Sequence, residues 1–266
     1  MTTLSTLKKF KREGTKFTCL TCYDAMFARM MDKAKIDTIL IGDSLGMVVQ
    51  GHDSTLPVSV ADMAYHTANV ARSNKHALIL ADLPFMSYVT LPEAIANSRQ
   101  LMQAGAHVIK IEGGSELCDL VSTLAQAGTP TCVHLGLTPQ SVNVFGGYKV
   151  QGRSDDSADK LLSDAKAVVA AGAALLVLEC VPAELAKAVT KAVAVPVIGI
   201  GAGADTDGQV LVMHDMLGMV YGRVPRFVHD FLTDERNTEH SIDGAFALYQ
   251  QSVVEGSFPM QQHQFD

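Results

Sequence analysis

The sequence predicts a (β/α)8 barrel, and three observations support this prediction. Eight short apolar runs recur along the 266 residues, and most are followed by a segment with helical periodicity. Nearly all of these runs are continuously apolar, which is typical of parallel strands buried on both faces. The composition does not change along the chain, so one barrel of about 250 residues fits better than two separate domains. We therefore predict a single barrel domain over residues 1–266, with short N-terminal and C-terminal extensions.

Each predicted strand ends in a polar or glycine-rich cluster. The strands are predicted at 17–22, 37–41, 77–81, 106–111, 130–135, 174–178, 196–200 and 209–213. A doubly wound open sheet is the alternative. It is less favoured because Gly199, Gly201 and Gly203 lack the G-x-G-x-x-G context near the first strand that a dinucleotide-binding fold requires.

Helix boundaries between the strands are marked by short signals. Gly105 and Gly172 stand where a helix needs a left-handed residue after its last turn. Ser59 and Asp62 have the spacing of a capping box. Two segments lie outside the repeat: 140–153 is rich in glycine and predicts a loop over a site, and 241–256 predicts an appended helix.

Composition excludes several classes of protein. With 21 Lys and Arg against 28 Asp and Glu, the net charge of −7 gives no reason to expect nucleic acid or an anionic membrane as partner. The five cysteines are odd in number, which indicates reduced thiols and not a disulfide framework. No apolar run is long enough for a signal peptide or a membrane span, so we expect a soluble cytoplasmic protein.

Titratable side chains stand at the end of nearly every predicted strand. They are Asp24, Asp43, Asp82, Lys110, Glu112, His134, Glu179, His214 and Asp215. Because the carboxyl ends of the strands meet at one mouth of a barrel, we expect most of these groups to surround a common site.

Asp43 and Asp82 follow adjacent strands and form a candidate metal pair. Two carboxylates are enough for Mg²⁺, because this ion keeps water and substrate oxygens as further ligands. The alternative is that both residues cap helices or form turns. No His-x-x-x-His pattern or Cys and His cluster accompanies them, which disfavours a transition metal.

Three further residues are candidates for substrate binding and acid–base chemistry. Lys110 and Glu112 are two residues apart on a strand, so both side chains point to the same face. The alternative to a role in the site is that they form a buried structural ion pair. Glu179 follows five apolar residues, and an apolar environment suits a general base; the alternative is a salt-bridged end of a strand. The position of His134 is equally consistent with a histidine of the core and with a ligand of the site.

A carboxylate pair, an inward lysine and a separate glutamate indicate enolate chemistry on a 2-oxo acid. A metal chelated by the carboxylate and keto oxygens would stabilise the charge that develops when the α-carbon loses its proton. Two alternatives stay open. One is a Schiff-base aldolase with Lys110 as nucleophile, and the other is a metabolite-binding protein, against which Glu179 argues.

The chain resembles the ketopantoate hydroxymethyltransferase family over nearly its whole length. The similar segments are TCYD at 21–24, IGDSLGM at 41–47, ADLPFM at 81–86, VIKIEG at 108–113, HLGLTPQ at 134–140, LECVP at 178–182 and IGIGAGADTDGQVLVMHD at 198–215. The resemblance implies a (β/α)8 barrel of the phosphoenolpyruvate mutase/isocitrate lyase type. Lyases of that type carry a Lys-Lys-Cys-Gly-His loop, which this sequence lacks.

The resemblance also implies the roles of individual residues. One Mg²⁺ per subunit would be bound by Asp43 and Asp82 with Glu112 close by, and Glu179 would be the proton acceptor. The 2-oxo acid would be held by Asp43, Ser44, Asp82, Lys110 and His134. The implied reaction adds the one-carbon unit of 5,10-methylenetetrahydrofolate to 3-methyl-2-oxobutanoate, giving 2-dehydropantoate for pantothenate and coenzyme A synthesis. Members of the family commonly form decamers.

Overall fold

In the computed structural model, which describes residues 1–220 and 222–266, eight parallel strands close into a barrel in the order β1 to β8. The strands are β1 Phe17–Thr21, β2 Thr38–Ile41, β3 Leu78–Asp82, β4 Val108–Glu112, β5 Thr131–Gly136, β6 Leu175–Glu179, β7 Val197–Ile200 and β8 Gly208–Leu211. The predicted barrel is confirmed, the open sheet is excluded, and every predicted strand lies within two residues of its observed bounds.

The predicted end of the last strand is wrong. β8 stops at Leu211, and residue Met213 instead begins a short helix. The reason is a side chain on the neighbouring strand: the Met213 amide donates a hydrogen bond of 2.9 Å to the Thr21 hydroxyl. This bond takes the backbone out of the sheet and turns the next residues across the barrel mouth.

Helices cover the outside of the barrel and follow most of the strands. They are α1 Leu4–Glu13, α2 Ala25–Lys33, α3 Leu45–Val48, α4 Val60–Ala71, α5 Leu91–Ala104, α6 Cys118–Gln126, α7 Val142–Phe145, α8 Asp155–Ala171, α9 Ala183–Ala192, α10 Met213–Met216 and α11 Ile242–Val254. The predicted capping box of Ser59 and Asp62 begins α4, and Gly105 ends α5 at a φ of 114°.

The N-terminal helix α1 closes the bottom of the barrel. Its Leu7 is fully buried and packs with Phe17 of β1 in the cluster that fills the barrel interior. Lys11 forms a partly buried ion pair of 2.7 Å with Asp207, just before β8. The bottom is therefore sealed by apolar packing, which leaves the carboxyl end of the strands as the open end.

The C-terminal helix α11 supports the seam between β1 and β8. The Tyr249 hydroxyl lies 3.0 Å from the Cys19 carbonyl oxygen and 2.9 Å from the Gln209 carbonyl oxygen, so its single proton lies between an acceptor on each strand. At the same seam, a Cβ on Gly208 would come within 2.6 Å of the Phe17 ring, so only glycine fits there. The predicted appended helix over 241–256 is thus part of the barrel wall.

The described residues contain neither a membrane-spanning helix nor a disulfide bond. No helix in residues 1–220 and 222–266 has the length and hydropathy needed to cross a bilayer. The five cysteines are all free, and four of them are buried.

Candidate active site

The alternation of side chains along the strands places charge at the open end of the barrel. On β4, Val108, Lys110 and Glu112 point inward, whereas Ile109 and Ile111 pack against the outer helices. β3, β5 and β6 repeat this arrangement, with apolar residues deep in the barrel and Asp82, His134 and Glu179 at the top. The predicted convergence of these residues at one mouth is confirmed.

Lys110 lies in the centre of this cluster. Its ammonium is 2.8 Å from Asp82 Oδ1 and 3.9 Å from Glu112 Oε1, and all three side chains are buried. Burial favours the neutral amine, but the surrounding carboxylates outweigh burial and raise the pKa of Lys110 above its ordinary value. Lys110 is therefore a fixed positive charge on the floor of the site.

His134 connects two carboxylates on neighbouring strands. Its Nδ1 lies 3.1 Å from Glu112 Oε1, and its Nε2 lies 3.2 Å from Glu179 Oε2 without the alignment of a good hydrogen bond. Although burial and Lys110 favour the neutral ring, the two glutamates raise the pKa of His134 to about 9. The expected apolar environment of Glu179 is therefore interrupted by an imidazolium ion.

Backbone packing beside Glu179 requires a glycine. Gly136 lies opposite Glu179 in the β5–β6 register and has a φ of 91°. A Cβ at this position would lie 2.3 Å from the Glu179 carbonyl oxygen, so any other residue would push β6 away. Gly136 thus fixes the distance between the strands that hold His134 and Glu179.

Asp43 approaches Asp82 from the end of β2. The Asp43 amide donates a hydrogen bond of 3.1 Å to Asp82 Oδ2, and burial together with the Asp82 and Glu112 charges raises the pKa of Asp43 well above its ordinary value. The Asp82 carboxylate accepts hydrogen bonds from Lys110 and from the Asp43 amide, and the Asp43 carboxylate accepts one from Gln140. Within the described residues, neither carboxylate accepts a hydrogen bond from a helix amide. The alternative that both aspartates are helix caps is therefore wrong.

Gln140 organises the site, and sequence reasoning did not single it out. Its side-chain amide donates to Asp43 Oδ2 at 2.8 Å and to the Leu83 carbonyl at 2.9 Å, and its backbone amide donates to Glu112 Oε2 at 2.9 Å. The Tyr88 hydroxyl donates to its oxygen at 2.7 Å. A polar residue at the start of a glycine-rich loop is normally exposed, so nothing in the local pattern indicates that Gln140 is buried. The only signal for it was its place at the end of the HLGLTPQ segment.

Of the residues that follow β1 and β2, Ser44 lines the cavity and Asp24 does not. The Tyr23 hydroxyl lies 2.8 Å from the Ser44 hydroxyl, and this places Ser44 on the cavity wall. Asp24 was expected at the mouth, but its carboxylate accepts hydrogen bonds from the Met26 and Phe27 amides. Asp24 is therefore the N-cap of α2, because this helix starts at the next residue and its first amides have no partner within the helix.

A cavity of about 730 Å³ extends from this floor to the surface. Asp215, which follows β8, lines it, and burial together with the Glu179 charge raises the pKa of Asp215 to about 6. Tyr148, from the segment 140–153, also lines the cavity, and its hydroxyl lies 3.8 Å from Met47 Sδ, beyond the end of β2. The segment therefore reaches across the mouth, as its position after β5 predicts, while its movement as a lid stays a prediction.

The charge balance of the floor fits a divalent cation. Asp43, Asp82, Glu112 and Glu179 contribute four carboxylates, against which the protein supplies Lys110 and His134. In residues 1–220 and 222–266, no three His, Cys, Asp or Glu side chains converge as a closed metal cage. The donor set instead suits an open site, in which Asp43 and Asp82 would be the protein ligands and oxygens of substrate and water would complete the coordination.

This fold and site define a (β/α)8-barrel enzyme with its acid–base groups at the carboxyl ends of the strands. The sequence profile of the family described as ketopantoate hydroxymethyltransferase matches residues 1–261, and the chain belongs to this family. The 3-methyl-2-oxobutanoate hydroxymethyltransferase of Psychrobacter arcticus is 89% identical over 265 residues, covering 100% of both chains. The protein is accordingly a transferase.

Solved structures support the class of barrel. A phosphonopyruvate hydrolase in complex with oxalate and Mg²⁺ has a TM-score of 0.62 at 14% identity, covering 99% of this chain and 93% of the other. A 2,3-dimethylmalate lyase of the phosphoenolpyruvate mutase/isocitrate lyase superfamily has a TM-score of 0.57 at 16% identity, covering 79% and 81%. The predicted (β/α)8 barrel fold is confirmed.

Proposed function

We propose that this protein transfers the one-carbon unit of 5,10-methylenetetrahydrofolate to 3-methyl-2-oxobutanoate, with water supplying the hydroxyl oxygen, to give 2-dehydropantoate and tetrahydrofolate. The observation that carries the proposal is the floor of the cavity, where a buried lysine stands beside an aspartate pair and a glutamate stands on a separate strand. Family membership and the name of the relative at 89% identity support 3-methyl-2-oxobutanoate as the substrate and hydroxymethyl transfer as the reaction.

Asp43 and Asp82 would hold Mg²⁺, one ion per subunit, with Glu112 as a third, more distant carboxylate. A divalent ion at this place supplies a Lewis acid that stabilises negative charge on the keto oxygen of the substrate. Gln140 contributes by fixing the Asp43 carboxylate from one side, which leaves its other lone pairs free to face the cavity.

Lys110 binds the substrate carboxylate as a charge. Its ammonium is held by Asp82, so it is oriented before the substrate arrives and does not need to reorganise. A Schiff-base mechanism needs a neutral amine, whereas the raised pKa of Lys110 keeps the ammonium protonated. Ser44 and His134 line the same floor and complete the binding site for the 2-oxo acid.

Glu179 removes the proton from C3 of the substrate. It lines the cavity from β6, whereas the aspartate pair enters from β2 and β3, so the base and the metal ligands approach from different sides of the barrel. The His134 imidazolium lies 3.2 Å from one Glu179 oxygen and orients the carboxylate, leaving the second oxygen to accept the proton.

The product places the enzyme in the synthesis of pantothenate and coenzyme A. We further propose a cytoplasmic location and a homodecamer, as the family resemblance implies. Exposed apolar side chains such as Met26, Tyr65 and Phe85 offer surface for contacts between subunits.

A product assay tests the proposed function. The purified protein is incubated with 3-methyl-2-oxobutanoate, methylenetetrahydrofolate and Mg²⁺, and 2-dehydropantoate is measured by mass spectrometry. We expect product only when all three are present. Pyruvate and 2-oxobutanoate serve as comparison substrates for 3-methyl-2-oxobutanoate. Absence of product with every combination of folate and metal would contradict the proposal.

A further inference from the structure

The cavity changes its chemistry between the floor and the mouth. Above the charged floor, the wall is built by Pro225, Phe227 and Phe265, which come from the segment after β8 and from the C-terminal tail. Two arginines, Arg223 and Arg226, line the same wall. We call these five residues the outer wall.

The two arginines are cations without an acidic partner. In the parts of the chain that the structure describes, neither guanidinium has a carboxylate within ion-pair distance. Arg226 is nevertheless oriented: its Nε donates to the Gln262 carbonyl at 2.9 Å, and its guanidinium carbon lies 5.6 Å from the centre of the Phe265 ring. Its terminal N–H groups are left to bind an anion, for which the planar guanidinium is well suited.

The cavity has room for a second, larger ligand. A volume of about 730 Å³ is in the range of sites for drug-sized molecules, and a five-carbon 2-oxo acid bound to Lys110 would occupy only the floor. The rest of the lining includes aromatic and apolar side chains and two cations. A ligand that matches this lining has a reactive centre, a flat apolar part and an anionic end.

We propose that the outer wall is the subsite for the folate co-substrate, with Arg223 and Arg226 binding the carboxylates of its glutamyl tail. This inference rests on the proposed function. In methylenetetrahydrofolate the one-carbon unit bridges N5 and N10, the aminobenzoyl ring follows N10, and the glutamate lies beyond it. When the one-carbon unit faces the floor, the ring lies against Phe227 and Phe265 and the tail reaches the arginines.

The test compares folates with and without the glutamyl tail. Arg223→Gln, Arg226→Gln and the double variant are assayed with methylenetetrahydrofolate and with methylenetetrahydropteroate, which ends at the aminobenzoate ring. We expect the double variant to raise KM for the full folate by about 10- to 100-fold, as loss of charge-assisted hydrogen bonds does, and to change KM for the pteroate much less. The dissociation constant of tetrahydrofolate, measured by calorimetry, should rise in parallel.

Controls separate this inference from the proposed function. The exposed Arg99→Gln on α5 should leave both KM values unchanged, and KM for the 2-oxo acid should be unchanged in every variant. Unchanged folate KM in the double variant, or an equal rise for folate and pteroate, would overturn the subsite while the wild type still forms product. A wild type that forms no product with any folate would instead overturn the proposed function itself.

Discussion

The floor of the cavity and its outer wall are supplied by different parts of the chain. The floor side chains Asp82, Lys110, Glu112 and His134 stand on strands, are buried, and are held by one another through hydrogen bonds and ion pairs. The outer wall comes from the segment after β8 and the C-terminal tail, and its arginines are exposed. The proposed catalytic groups therefore stand on strands of the barrel, while the proposed subsite for a large ligand is built from loops.

Removing a metal ligand from the floor should have the largest effect. Asp43→Asn or Asp82→Asn should lower activity at least about 1,000-fold, because Lewis-acid stabilisation is worth several kcal/mol. Exhaustive chelation of the wild type should do the same, and Mg²⁺ should restore turnover. The exposed Asp159→Asn is the matched control. Full activity after chelation would show that the aspartates do not act through a metal.

Replacing the floor cation should weaken substrate binding strongly. Lys110→Met should raise KM for 3-methyl-2-oxobutanoate by about 100-fold, because a buried charge partner is typically worth 2 kcal/mol or more. Since this variant leaves Asp82 and Glu112 without their cation, a second measurement uses the wild type. Borohydride added with substrate should leave the mass of the protein unchanged, whereas a reduced adduct on Lys110 would establish the Schiff-base alternative.

Gln140 joins the floor to the segment that crosses the mouth, so its removal tests whether the two regions are coupled. Gln140→Leu keeps the shape but leaves Asp43 and the Leu83 carbonyl without a donor. Activity should fall about 10- to 100-fold, as for other residues that orient metal ligands, and stability should fall by about 1–3 kcal/mol. The exposed Gln103→Leu on α5 should change neither quantity. Activity like that of the wild type would mean that floor and segment are independent.

Asp215 stands between the two regions and should have the smallest effect. Burial raises the pKa of Asp215 from 3.8 to about 6. The protonated carboxyl therefore favours the folded state below pH 3.8, and this stabilisation is lost as the pH rises through 6. Asp215→Asn should therefore stabilise the protein by about 1–2 kcal/mol at pH 8, after allowing for partial exposure.

The pH dependence identifies the cause of this stabilisation. The difference in unfolding free energy between Asp215→Asn and the wild type should grow from pH 4 to pH 6 and stay constant above pH 7. Asp159→Asn, on the exposed face of α8, should show no such change. A constant difference at all pH values would mean that packing, and not the buried charge, separates the two proteins.

The same contrast explains what the sequence could predict. The strands were predictable because continuous apolar runs have few alternative structures, and the inward direction of Lys110 and Glu112 followed from the period of two along β4. The ion pairs of His134 required the register of β5 against its neighbours, which no local pattern contains. Gln140, Arg223 and Arg226 lie in loops, where the backbone path decides direction, so their positions could not be predicted.

Asp24 is an instructive error of the same kind. It follows β1 as Asp43 follows β2, and both were expected at the mouth. The two connections have the same length, and the difference is the position of the aspartate: Asp24 is the third residue after β1 and caps α2, whereas Asp43 is the second residue after β2. After β2, the helix N-cap is Ser44, so the Asp43 carboxylate stays in the cavity. The extent of the single domain, residues 1–266, stays a prediction, and the experiments above address the assignment of site residues.

The central claim is that Glu179 removes the C3 proton while the floor holds the 2-oxo acid. Incubating the enzyme with Mg²⁺ and 3-methyl-2-oxobutanoate in deuterium oxide, without folate, isolates this step from the outer wall. We expect the wild type to exchange the C3 proton and Glu179→Gln to exchange it about 100- to 10,000-fold more slowly, with Glu184→Gln, an exposed glutamate on α9, as the control. Exchange at the wild-type rate by Glu179→Gln, together with loss of product formation, would contradict the claim and place the base elsewhere on the floor.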